Sequence, residues 1–159
     1  LDASVICLDR NLHLVEIVFF NHAVSQDGTV RHSGDDTTGD GGGDDETILV
    51  DLERLSFQVV HLAFVVCSYS GKHLVNVDNT SCRLYAPGTT GTSWAQCRLT
   101  SRDYNCTAIL MAVLSGESLA RDGSEQRAWT LRACGLGMHG RVARDCVDEA
   151  QSFLRTGHI

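Results

Sequence analysis

The run "VVHLAFVVCSY", Val59 to Tyr69, decides how the rest of the chain is read. It is almost continuously apolar and rich in β-branched and aromatic residues, as expected of a central strand buried on both faces. Such a strand needs a neighbour on each edge and a layer over each face. Upstream, "DASVICL" reads as one strand and "HLVEIVFF", His13 to Phe20, as another, with a tight turn at Asp9-Arg10-Asn11 between them. "SQDGTV" carries the turn dipeptide Asp27-Gly28, and "TILVDL", Thr47 to Leu52, is a further short strand. Downstream come "SCRLY", "SWAQCRL", "CTAILMAVL" from Cys106 and "RAWTLRAC" from Arg127. Gly, Asn, Asp and Ser punctuate them at intervals of roughly ten to fifteen residues, which predicts a mainly β protein, an antiparallel β-sandwich rather than βαβ units.

The last segment changes period. Val142, Ala143, Cys146, Val147, Ala150, Phe153 and Leu154 recur at spacings of three and four, the pattern of an amphipathic helix. Gly140 precedes it and Gly157 follows, so a C-terminal helix over 140–156 is expected to cover one end or face of the sandwich.

The 159 residues form one domain by length, with 43% hydrophobic and 21% charged residues, ordinary for a globular chain. No apolar run approaches the roughly 18 residues of a membrane span. No basic segment followed by an apolar one opens the chain, so no signal peptide is read. Seven cysteines, at 7, 67, 82, 97, 106, 134 and 146, form no C-x-x-C pair, and several lie in apolar runs. They read as buried thiols in a reducing compartment, hence a cytoplasmic protein.

Charge is unevenly placed. The net charge is −7, and six acids between Asp35 and Glu46 account for −6 of it, leaving −1 for the remainder. Without a basic stripe the chain is a poor candidate for nucleic acid. The acidic stretch, "HSGDDTTGDGGGDDET", contains no Lys or Arg and has five glycines. A phosphate-cradling loop would carry a Lys at its end, so that role is excluded. Two readings remain open: a solvated acidic linker, or a site for a hard divalent cation. The second fits the mixture of carboxylates with Thr hydroxyls and with glycines that let carbonyls turn inward. The spacing is not that of an EF-hand.

The motifs of this region resemble the TerD family of tellurium-resistance and stress-response proteins. The likeness runs through "LDASV" at Leu1–Val5, the long ordered segment from Phe19 to Leu52, "FVV" at Phe64–Val66 and "WTLRACGLG" at Trp129–Gly137. The resemblance implies a calcium-binding β-sandwich with two Ca²⁺ ions at one end of the strands. The matching ligand positions are Asp2, Asp35, Asp36, Thr38, Gly39, Gly41, Gly43, Asp44, Asp45 and Glu46, the glycines through their carbonyls, with Asn21 closing the preceding strand. Family members carry a further strand pair ahead of "LDAS", where this chain begins at Leu1. An exposed sheet edge invites another chain, so a protein partner or neighbouring chain covering that edge is expected.

Three functions follow in order of preference. The first is a non-enzymatic calcium-binding domain, the ion ordering the acidic loop and shaping a protein-interaction surface. The second is a scaffold subunit of a larger assembly in which calcium is incidental. The third is a metal-dependent hydrolase. Ser68 and Ser70 in "CSYSG" lack the first glycine of a nucleophile elbow, and His61 reads as a satisfied strand histidine, so no catalytic residue is assigned.

Overall fold

In the computed structural model, the described residues are 1–34, 46–74, 81–85, 95–98, 105–119 and 126–157. Five strands form the main antiparallel sheet: β1 (Asp2–Leu8), β2 (Leu14–Val18), β5 (His61–Cys67), β8 (Ala108–Ser118) and β9 (Arg127–Met138). Their spatial order is β2-β1-β5-β8-β9, so the apolar run read as central does lie in the middle. Two smaller sheets, β3 (Val30–His32) with β4 (Ile48–Val50) and β6 (Ser81–Leu84) with β7 (Ala95–Arg98), complete the strands.

Alternation along the central strands explains the layering. Ile6 pairs in register with Ala63, and Ala63 with Val113, and all three side chains face the C-terminal helix. Cys7 pairs with Leu62, and Leu62 with Leu114, and these face β3 and β4. Leu74, Cys106, Ile109 and Met111 form a third buried cluster, against which Cys82 of β6 packs. The main sheet is therefore covered on one face by the two small sheets and on the other by the helix. Ile6, Leu62, Ile109 and Leu110 are each fully shielded, and each such side chain contributes about 1.5–3 kcal/mol of transfer free energy.

The alternation slips between Cys7 and Leu8, where the β2 partner steps from Glu16 to Leu14, and again in β8. Phe64 pairs with Ala112 but Val65 with Leu110, so β8 carries Met111 as an extra residue. β9 answers beside it, where Leu110↔Leu136 steps to Ala112↔Ala133, with Gly135 at φ +62°. A left-handed residue at a bulge favours glycine, and it lets Cys134 and Leu136 both reach the helix-side core.

The helix α1 covers Val147–Thr156 and is preceded by a 3₁₀ turn at Ala143–Cys146, so its regular part starts later than the apolar spacing predicts. The Asp145 carboxylate accepts hydrogen bonds from the backbone N–H groups of Arg141 (3.0 Å) and Val142 (3.3 Å), which holds this entry tight. Asp148 and Glu149 in the first turn and Arg155 in the last match the helix dipole. Gly157, at φ +76°, ends it and donates to the Phe153 carbonyl at 2.8 Å.

The Asp27-Gly28 turn has a structural purpose. Asp27 Oδ1 accepts from the Ser25 hydroxyl (2.7 Å) and from the Thr29 N–H (3.0 Å) and hydroxyl (2.6 Å), and Oδ2 accepts from the Ser56 N–H (3.0 Å). Partial burial works to raise its pKa, but the bonds from Thr29, Ser25 and Ser56 outweigh it and hold the carboxyl at about 2, below its ordinary 3.8. A depressed carboxylate stabilises the fold above its unfolded pKa and loses that contribution as pH falls. Because Asp27 is exposed, the expected contribution is only about 1 kcal/mol. Urea titrations between pH 5 and pH 2 are expected to show it disappearing below about pH 4, and Asp27→Asn is expected to flatten that part of the profile. An unchanged profile in the variant would remove this assignment.

Candidate metal-binding end of the sandwich

The strand ends carrying the acidic stretch converge on the start of β1. β3 and β4 pair as Val30↔Val50, Arg31↔Leu49 and His32↔Ile48. One residue further out, Ser33 N–H donates to the Thr47 carbonyl at 2.8 Å, and Thr47 N–H donates to Ser33 Oγ at 2.9 Å. These two bonds close the base of the segment, so residues entering it at Gly34 and leaving it at Glu46 start from a fixed frame.

His32 is buried beneath that base, its side chain 0% exposed. Its Nδ1 accepts from the Gly34 N–H at 3.0 Å, which places the ring proton on Nε2, facing the Ala3 carbonyl at 3.1 Å. Glu46 Oε2 lies 3.6 Å from the same Nε2, and Glu46 accepts from the Ala3 N–H. The Glu46 side chain is only 7% exposed. Thus Glu46 holds the N–H and His32 the C=O of one residue of β1, Ala3, immediately after Asp2. Asp2 in turn is the register partner of Cys67 at the end of β5.

Two of the ten ligand positions, Asp2 and Glu46, are thereby brought to one place. Asp35, Asp36, Thr38, Gly39, Gly41, Gly43, Asp44 and Asp45 lie outside the described residues. Among the described residues, no three of His, Cys, Asp and Glu are grouped so as to hold a metal ion. Sequence reasoning noted His32 beside the acidic stretch but gave it no role, and it missed the Ser33–Thr47 closure. The alternation of buried Val30, exposed Arg31 and buried His32 is the signal that contained the first.

The donor chemistry at this end suits a hard cation. Asp2 and Glu46 supply carboxylate oxygens, Ala3 and His32 fix their neighbourhood, and the segment between Gly34 and Glu46 holds five further aspartates. Three other chemistry-bearing groups have structural partners. His61 Nδ1 is 2.9 Å from the Ser115 hydroxyl, and burial with the nearby Arg10 charge lowers its pKa. His22 faces Glu16 at 3.4 Å. Trp129 packs against the core under Arg127.

A cleft of about 320 Å³ adjoins this end, between β4 and β6 and above the main sheet. Phe64, Val66, Met111 and Ala112 are among the residues of its floor, and Glu46 and Ala3 close one end. Leu49 and Tyr85, 47% and 37% exposed, stand on its two sides. No helix among the described residues is long and apolar enough to cross a membrane.

The comparisons with known proteins agree on a family. The TerD domain model matches residues 1–147. Tellurium resistance protein TerZ of Serratia marcescens is 35% identical over 145 residues, covering 91% of this chain and 69% of its own length. General stress protein 16U of Bacillus subtilis (strain 168) is 28% identical over 152 residues, covering 93% of this chain and 72% of its own. A crystal structure of a homologue of telluride resistance protein (TerD) from Streptomyces coelicolor A3(2) superposes with a TM-score of 0.70 over 94% of this chain and 85% of that one. At 21% identity the last match speaks for the fold alone.

Proposed function

The chain belongs to the TerD family, and from that premise we propose that it is a non-enzymatic calcium-binding domain of a resistance and stress-response protein. The observation that carries the reading is the frame itself. A closed strand base at Ser33 and Thr47, with Glu46 fastened to β1 directly after Asp2, fixes both ends of the acidic stretch at one end of the sheet. Like charges gathered this way repel, and a divalent cation offsets that repulsion. Asp2, Asp35, Asp36, Asp44, Asp45 and Glu46 would hold it through carboxylates, Thr38 by its hydroxyl, and Gly39, Gly41 and Gly43 by carbonyls, two ions sharing the set. The ion supplies positive charge that orders the acidic loop. It supplies no reactive group. Oxygen donors with glycine freedom favour Ca²⁺ over Mg²⁺, whose strict octahedral shell retains water.

The second half of the reading concerns a protein partner. The cleft between β4 and β6 has an apolar floor and apolar sides at Leu49 and Tyr85, and it adjoins the proposed ion site. An extended segment of another polypeptide laid there would pair with backbone at the strand edges and cover the floor. The location proposed is the cytoplasm, in keeping with Cys7, Cys67, Cys106, Cys134 and Cys146 being thiols.

One set of samples tests both halves. Protein is stripped with chelator, then melted with no metal, with Mg²⁺ and with Ca²⁺, while light scattering records its mass. Calcium at about a hundred times its Kd adds about 2.7 kcal/mol per site, a rise of roughly 5–11 °C in melting temperature. No calcium-dependent shift at millimolar Ca²⁺ would sink the ion reading. A well-folded monomer that gains no binding from added extended apolar peptides would sink the partner reading.

A further inference from the structure

Two buried thiols on different elements meet on the helix side of the sheet. Cys67 is the last residue of β5 and Cys146 the last of the 3₁₀ turn that leads into α1. Their sulfurs are 4.0 Å apart, and the residues are 1% and 0% exposed. We infer that Cys67 and Cys146 are an oxidation site, joined by a disulfide when the protein meets a peroxide, so that the C-terminal helix becomes covalently fastened to the central strand.

The geometry is close to what the bond needs. Forming it requires the sulfurs to approach by about 2 Å, to a separation near 2.05 Å, which side-chain rotation supplies when the space beside them is open. Gly140 keeps it open. A Cβ at that position would lie 2.6 Å from Cys146 Sγ and 2.9 Å from Asp145 Cβ, so any larger residue would crowd the sulfur.

Access sets when the reaction occurs. In the closed protein both residues are shielded from solvent, so a peroxide does not reach their sulfurs. Access therefore requires the helix to lift from the sheet. The helix contributes no strand to the sheet ladder, and its described side-chain tie to the β1–β2 turn is Gln151 Nε2 donating to the Leu12 carbonyl at 2.8 Å. On opening, one thiolate attacks an oxygen of hydrogen peroxide, the O–O bond breaks, and with a proton from solvent a sulfenic acid and one water form. The second thiol then displaces that hydroxyl as water, leaving the S–S bond. Two thiols have lost two electrons and two protons, and the peroxide has taken them up. The oxidant is thus a peroxide, and reduction by a small thiol restores the pair.

A peptide map tests this on the intact chain without any substitution. Trypsin places Cys67 alone in the peptide 55–72 and Cys146 alone in 145–155. After hydrogen peroxide treatment and alkylation of remaining thiols, the two peptides are expected as one species, lighter than their sum by two hydrogen atoms and lost on reduction. Cys82 and Cys97 are register partners on β6 and β7, and their peptides, 73–83 and 84–98, are the internal comparison. The oxidised protein is also expected to melt roughly 5–15 °C above the reduced protein, a gap that Cys146→Ala abolishes. Should peroxide link Cys82 to Cys97 while the 55–72 and 145–155 peptides stay alkylated and separate, the proposal is overturned. So it is if the linked species forms but the melting temperature does not rise.

Discussion

Arg127→Ala is expected to lower the melting temperature by roughly 6–12 °C, from a loss of about 3 kcal/mol. The side chain opens β9, and its guanidinium ties that strand to the segment crossing from β4 to β5. Nη1 donates to the carbonyls of Ser56 (3.2 Å) and Val59 (2.8 Å), and Nη2 donates to that of Leu55. Leu55 and Val59 are each only 2% exposed, so removing the donor leaves acceptors in a poorly hydrated place. The same group lies 4.5 Å from the Phe57 ring centre and 4.8 Å from that of Trp129, adding cation–π contacts. Burial lowers its pKa, but an arginine stays charged, so the cost is geometric rather than one of ionisation. Arg127→Lys keeps the charge without the planar fork and is expected to recover less than half of the loss. Calorimetry of the three proteins decides it. A fall below about 2 °C for the alanine variant would mean that water satisfies the three carbonyls and the clamp contributes little.

Phe153→Ala is the more damaging change, at about 3–5 kcal/mol, or roughly 6–20 °C in melting temperature. Phe153 is 5% exposed and sits in the helix-side core with Ala150, Val147 and Cys146. Arg132 of β9 lies over its ring at 4.1 Å. The short helix has few other large apolar side chains to hold it, so the cavity is not refilled by repacking along the same face. Phe153→Leu is expected to cost less than about half as much, and Arg132→Ala only about 1 kcal/mol, because it removes the ring contact and leaves the ring in place. Circular dichroism melts read all three. If Arg132→Ala matched Phe153→Ala, the ring would be held mainly by charge and not by burial.

The strongest strands were legible for a simple reason. Val59 to Tyr69 is apolar on both faces because β1 and β8 flank it and layers cover both sides, and that environment writes itself into composition. β3 was not legible. It is three residues long, with one apolar side chain, and its second inward position is filled by His32. The helix was readable from its spacing, but its true start was not, because that depends on a carboxylate at Asp145 turning back to cap two N–H groups. For the candidate site, the acidic run announced itself by charge, while Asp2 came in only through the family likeness. The contact that joins Asp2's neighbour to Glu46 spans 43 residues, a separation that no local pattern reports. Arg127 was equally silent, since its partners are backbone carbonyls about seventy residues earlier, and carbonyls leave no mark in a sequence.

The paired bonds between Ser33 and Thr47 make the stretch they enclose a cassette. Its two ends are sewn together before any of its own residues are consulted. The ladder beneath is therefore indifferent to how many residues pass between Gly34 and Glu46, and closure entropy grows only slowly with such a count. Length and sequence there are free to diverge from one relative to the next, while the strands at its two ends stay as they are.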